Sequence, residues 1–343
     1  MIKVNAKIKG VKYTPLLCRK LQTFNIKDLA KALDSDATFI LKVDSVNSIA
    51  LSWWVSAKRT RSYPYPRVYD SFKFSGKKVT IIPIIKDEGS EGDRDYLQWD
   101  TVALMSLLGV YVIIGYYDKA KKSSRYKNKI TAQRYNLNFV KSKICELLSY
   151  QSDALHWNLA QLETSGDLLR KAIIAYSSIS NKLKVKMHSA KSAEKRILKL
   201  RADSFKSLSR TLAKSAQERE VITVQPKENV RGVKAALNIT NYLGGEYHFT
   251  ADELRINKKS IGIVEAKNTK GIGLPGLLDI KDGLTKMILF TNLCEAKIDK
   301  NVYGIVPILK LTSKSKKKLA PSEKNLLSTL RKEAKINNFK IEF

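Results

Sequence analysis

"GIVEAKNTKG", Gly262–Gly271, is an apolar run that ends in a carboxylate and an amine two residues apart. Side chains at i and i+2 of a strand share a face, so Glu265 and Lys267 point the same way. Two charges on one side of a buried strand are costly unless something pairs with them. What pairs with them decides what kind of fold this stretch belongs to.

The preceding stretch, "EYHFTADELRI", also reads as a strand, and Asn257–Ser260 reads as the turn between the two. A connection centred on Lys258-Lys259 sets Ile256 against Ile261, Leu254 against Ile263 and Asp252 against Glu265. One face is then apolar and ends in two acids side by side. Opposed acids repel, and a hairpin tolerates them where a cation sits between. Hard oxygen donors of this kind suit Mg²⁺, which takes one or two carboxylates together with water and phosphate oxygens. Lys267 can orient or help deprotonate an attacking water and hold a phosphate. A shift by one residue would set Glu253 against Glu265 instead. It would also mix Arg255 into the apolar face, and so ranks second.

The wider chain supplies a reason for phosphate. It has 343 residues, 43% of them hydrophobic, enough for a real core and for two domains or one with an insertion. Lys and Arg number 63 against 32 acids, a net +31. A polyanion partner explains this excess, nucleic acid first and an anionic membrane surface second. Cys18, Cys145 and Cys294 lie far apart with no CxxC or Cys/His cluster, which predicts reduced thiols in a cytoplasmic protein without a zinc site. The uncharged run Thr101–Tyr117 is interrupted at Gly109 and reads as a buried helix entering a buried strand, so no membrane partner is expected.

Three parts are expected. Residues 1–120 read as an α/β part with mostly antiparallel strands, "RVYDSFKFS" among them. Residues 121–219 read as a basic helical subdomain broken at Gly166-Asp167. Residues 220–343 return to α/β, with "ENVRGVKAALNITNYL" as a helix ahead of the hairpin and "PGLLDIKDGLTKMILFTNLC" as a helix after it.

With this context, Asp252, a hairpin, and Glu265-Ala266-Lys267 resemble the PD-(D/E)XK nuclease superfamily, and within it type II restriction endonucleases. The resemblance covers roughly residues 228–310. It implies a restriction-endonuclease-like core of a mixed sheet flanked by helices. It further implies that Asp252, Glu265 and the Ala266 carbonyl bind Mg²⁺ and that Lys267 is the catalytic lysine. Ala251 stands where the family name expects Pro. An additional acid from the preceding helix is sought in Glu228 or Glu246. Double-stranded DNA is the expected partner, with a homodimer and a cognate DNA methyltransferase as further expectations.

DNA contacts are expected from two regions. Arg59, Arg61 and Arg67 alternate with Trp53, Trp54, Tyr63, Tyr65 and Tyr69, a mixture suited to phosphates and bases or equally to a core with a rigid loop. Lys184, Lys186 and Lys191 begin a regularly spaced basic run. The acidic loop Asp87–Asp95 reads as solvated, and His156, His188 and His248 as structural. "GIGLPG" at Gly271–Gly276 reads as a flexible loop near the site. The expected activity is Mg²⁺-dependent, site-specific cleavage of DNA. The alternatives are a repair or resolvase-type nuclease and a non-catalytic nucleic-acid-binding protein.

Overall fold

The structure is a computed structural model that describes residues 2–57, 64–192, 233–241, 246–315 and 319–343. In chain order come β1 (Ile2–Ile8), β2 (Thr23–Asn25), α1 (Leu29–Ser35), β3 (Thr38–Lys42), β4 (Ser48–Trp53), α2 (Pro64–Ser71), β5 (Lys78–Pro83), β6 (Ile85–Asp87), β7 (Arg94–Tyr96), α3 (Trp99–Leu107), β8 (Tyr111–Gly115), β9 (Tyr117–Lys122) and β10 (Ile130–Tyr135). They are followed by α4 (Leu137–Ser149), α5 (Ala154–Glu163), α6 (Ser165–Leu183), β11 (Val233–Asn241), β12 (Glu246–Ile256), β13 (Ser260–Ile272), α7 (Leu277–Phe290), β14 (Leu293–Ile298), β15 (Asn301–Ser315), α8 (Pro321–Ile336) and β16 (Lys340–Glu342). The protein is mixed α/β, as its sequence predicts. It divides into two units, Met1–Lys20 with Val68–Lys73 and Arg210–Phe343, and Leu21–Arg67 with Phe74–Ser209. This differs from three consecutive parts, because the first twenty residues join the C-terminal sheet.

In the first unit, β11, β12 and β13 form an antiparallel meander, α7 crosses over, and β15 lies parallel to β13. The first residues of the chain change the expected outcome. β1 alternates, with Val4, Ala6 and Ile8 buried, and it pairs parallel with β11 and antiparallel with β14. The order β13-β12-β11-β1-β14-β15 therefore returns to β13, a closed ring of six strands with β16 alongside β15. Closure leaves these six strands without free edges. A flanked open sheet was the expectation, and only its mixed α/β character is met.

β11 corrects the sequence reading directly. "VKAALNITN" is rich in helix formers, yet it is a strand, bracketed by β1 and β12, with Ala235, Ala236, Leu237 and Ile239 buried. Pairing on both edges outweighs a propensity difference of a few tenths of a kcal/mol per residue.

The second unit holds a five-stranded sheet in the order β2-β3-β4-β5-β8. Its β3–β4 pair is antiparallel, while β2–β3, β4–β5 and β5–β8 are parallel. The expected antiparallel arrangement fails because "RVYDSFKFS" is not a strand: residues 64–71 form α2, with Val68 and Tyr69 buried. Tyr, Val and Phe there were read at strand period, but two prolines at the helix entry and apolar residues four apart suit a helix better. Thr101–Tyr117 is a buried helix turning at Gly109, φ +68°, into buried β8. No described helix is long and apolar enough to cross a membrane.

Residues 117–135 depart from the helical reading of 121–219. β9 and β10 form an antiparallel ribbon, and the helices begin at Leu137, where Asn136 caps α4 by accepting from Phe139 N. Gly166 sits inside α6, and the break falls just before it at Thr164.

Candidate active site

The hairpin carries the register that keeps its apolar face together. Ile256 faces Ile261, Leu254 faces Ile263 and Glu253 faces Val264. Asn257 N donates to Ser260 O at 2.9 Å, so Lys258-Lys259 form the tip. The regular ladder stops beyond Glu253. There β12 is bulged against β11, with Leu254 opposite Val233 but Ala251 opposite Ala235. A bulge re-aims a side chain, and here Asp252 turns so that its Oδ2 accepts from Ala266 N at 2.7 Å. The first acid of the motif thus touches the backbone of the second half directly.

Glu265 is 1% exposed. Its Oε1 lies 2.9 Å from Lys267 Nζ and its Oε2 2.6 Å from Lys286 Nζ. Lys267 also binds Asp282. Both Asp282 and Lys286 come from α7, four residues apart and so on one helix face. Gly283 lies beside them. A Cβ there would sit 3.3 Å from Lys267 Cε and 2.7 Å from Leu309 Cδ1, so its absence lets α7 close over β13. Burial pushes the Glu265 carboxyl up, but the ammonium groups of Lys286 and Lys267 outweigh it and hold it down at about 2. Burial likewise opposes the charge on Lys267, and Glu265 and Asp282 together raise it above the ordinary lysine range. The cluster is therefore fully ionised at neutral pH.

Glu253 belongs elsewhere. It is buried against Arg255 Nε at 2.8 Å and Lys310 Nζ at 3.3 Å, and Arg255 reaches on to Glu342 at 2.5 Å. Glu246, exposed at the start of β12, lies 3.9 Å from His248, and Glu228 is outside the described residues. The extra acid near Lys267 is Asp282, from the helix after the hairpin rather than before it. Charged residues at i and i+4 in the apolar "LLDIKDGLTKMILF" were its visible signal.

Among the described residues no three His, Cys, Asp or Glu side chains gather into a metal cage. A Mg²⁺ site needs only one or two carboxylates besides water and phosphate. Asp252, Glu265 and the Ala266 carbonyl are all oxygen donors, and Glu265 already holds a cation, the Lys286 ammonium. The donor set fits a hard divalent ion that takes the place of that ammonium.

The expected DNA-contacting residues separate. Arg59 and Arg61, with Tyr63, lie outside the described residues. Arg67 turns to its own unit, donating to Trp53 O at 2.6 Å with its guanidinium 4.7 Å from the Trp53 ring centre. Trp54, Tyr65 and Tyr69 are core. Lys184, Lys186 and Lys191 are exposed, Lys184 in the left-handed conformation that ends α6. The loop Asp87–Asp95 is not simply solvated. Asp87 is 2% exposed and receives His188 Nδ1 at 2.7 Å, Arg94 Nε at 3.1 Å and Gly89 N at 2.9 Å. The loop Gly271–Gly276 is tied down where Leu274 N donates to Glu323 Oε1 at 2.9 Å.

Sequence reasoning missed one basic surface. Between Tyr117 and Tyr135, along the β9–β10 ribbon, seven residues are Lys or Arg and one, Asp118, is acidic. The chain matches no protein-family model, no curated protein and no solved structure.

Proposed function

We propose that this protein is a Mg²⁺-dependent endonuclease that cleaves double-stranded DNA at a specific sequence, as type II restriction enzymes of the PD-(D/E)XK kind do. One observation carries the reading: Asp252 and Glu265-Ala266-Lys267 meet at the bulged end of the hairpin, linked by the 2.7 Å bond from Ala266 N to Asp252. The order of meander, crossover helix and parallel strand supports a nuclease core of that kind. The closed ring of strands departs from it. The +31 charge supports a phosphate-rich substrate.

In this reading Asp252, Glu265 and the Ala266 carbonyl hold Mg²⁺, which supplies charge neutralisation and an acidified water. Lys267, kept protonated by Glu265 and Asp282, holds the scissile phosphate by charge. Asp282 orients Lys267. Lys286 occupies Glu265 in the absence of metal and keeps a buried carboxylate from standing alone.

A second reading has a specific observation behind it. Both oxygens of Glu265 are already satisfied by lysines, as in a structural ion cluster inside a non-catalytic nucleic-acid-binding protein. Plasmid incubation with Mg²⁺ or with EDTA separates the two. Discrete fragments with Mg²⁺ alone, lost in Asp252→Asn and Lys267→Ala, are the expected result. Retarded but uncut DNA under every condition would sink the nuclease and leave the binder.

A further inference from the structure

The root of the β9–β10 ribbon encloses a cavity of about 280 Å³, wholly within the second unit. Trp53 at the end of β4 forms one wall, Leu33 from α1 another, and Asp118, Arg134 and Asn138 complete it. The volume is just below the roughly 300–1,000 Å³ of pockets for drug-sized ligands, so a single small ring system fits the space.

Asp118 is the unexplained group. Its Oδ2 accepts from Asn136 Nδ2 at 2.8 Å, but its Oδ1 is buried and accepts nothing among the described residues. A carboxylate oxygen kept from both water and a donor is costly. No cation of the protein lies within ion-pair distance of it among the described residues, because Arg134 is turned to Asp34 at 2.9 Å. The cavity thus asks for a hydrogen-bond donor beside an aromatic wall.

The surroundings say what else the ligand carries. Lys119 lies at the cavity and the ribbon beyond is densely basic. A cationic amine would satisfy Asp118 but would be repelled by that rim. A neutral, planar donor joined to an anionic chain satisfies both. We propose that this cavity takes one nucleobase bearing an exocyclic amino group, from a nucleic-acid strand whose phosphates lie along the Tyr117–Tyr135 ribbon. The base packs beside Trp53, its amino group donates to Asp118 Oδ1, and Lys119 holds the adjoining phosphate. Since a paired base cannot enter, the base is unstacked or comes from a single strand. The inference rests on the nucleic-acid reading of the charge and is independent of the cleavage site.

The test is binding of fluorescein-labelled oligo-deoxyadenosine, oligo-deoxycytidine and oligo-deoxythymidine to the full chain in EDTA, read by anisotropy. The wild type should prefer the two amino-bearing polymers by about tenfold, the weight of one hydrogen bond to a charged acceptor. Asp118→Asn, which keeps an oxygen for Asn136, should bring that ratio close to one. Trp53→Leu should weaken all three polymers, and Lys119→Ala should weaken all three while leaving the ratio intact. If Asp118→Asn proves unfolded by circular dichroism, the Trp53 and Lys119 variants carry the test. Equal binding of the three polymers by the wild type would overturn the proposal. So would a ratio unchanged in Asp118→Asn, or deoxyadenosine monophosphate competing as strongly as the polymer. Glu265→Gln should keep the preference, so loss of cutting and loss of base preference are read separately.

Discussion

Lys267 and Lys286 hold the same carboxylate, yet the two lysines have separable consequences. Lys267→Ala is expected to abolish cutting and retain Mg²⁺-dependent DNA binding. Lys286→Met should retain cutting, because Mg²⁺ replaces the ammonium it removes. Both changes unbalance a buried cluster, and removing one partner of such a pair costs about 3–5 kcal/mol. A lowered melting temperature alone therefore does not distinguish the two readings, and cleavage must be measured on folded protein. The pH response follows from the depressed Glu265 carboxyl. Its unfolded value is near 4.5 and its folded value about 2. The stabilisation is thus complete above the former and is lost as pH falls toward the latter. Lys286→Met raises the folded value, so its melting temperature should begin to fall at a higher pH than that of the wild type. Coincident acid limbs in differential scanning calorimetry would contradict this.

At the scale of elements, the hairpin and α7 must stay in register with one another. Glu253→Ala tests the hairpin. It leaves Arg255 and Lys310 short of a partner and should cost about 3 kcal/mol, while cutting persists, because Glu253 faces away from Lys267. Dead but well-folded Glu253→Ala protein would favour the shifted register. Gly283→Val tests the helix. The added methyls press on Leu309 and the stem of Lys267, so stability should fall by about 1–3 kcal/mol, as overpacked cores do. The specific rate of cutting should fall with it through displacement of Lys267. A variant as stable and active as the wild type would show that α7 does not press on the site.

Over the whole molecule the charge sets the binding behaviour. Affinity for DNA should fall steeply with salt, by roughly 0.9 log units per log unit of salt for each phosphate contacted. Replacing Lys119, Lys121 and Lys122 on the ribbon should flatten the slope more than replacing Lys184, Lys186 and Lys191 if the ribbon is the main contact. A wild-type slope near zero would remove the electrostatic argument entirely. Stability of the first unit depends on a different group. Glu333, fully buried in α8, accepts from Tyr13 Oη at 2.7 Å, Tyr69 Oη at 2.7 Å, Leu16 N at 2.9 Å and Leu17 N at 3.2 Å. Glu333→Ala strands several donors at about 1–3 kcal/mol each, so it should prevent folding or lower the melting temperature by many degrees.

The hairpin was legible in the sequence because its information is local. Period-two alternation, a short polar turn and the need to keep Leu254, Ile256, Ile261 and Ile263 on one face determine the register over a dozen residues. The helix-to-strand run at Thr101–Tyr117 was legible for the same reason. The remainder depended on contacts between distant residues. β11 is a strand because β1, more than two hundred residues earlier, pairs with it. Asp282 and Lys286 join Glu265 only because Gly283 lets α7 approach β13. Asp87 looked solvated until His188 and Arg94 folded over it, and the ribbon at 117–135 is too polar for alternation to mark it. Local sequence determined which segments could be strands and where the charged pair would point. Tertiary structure decided what met that pair, since burial and long-range pairing outweigh the few tenths of a kcal/mol by which a single residue prefers one backbone state.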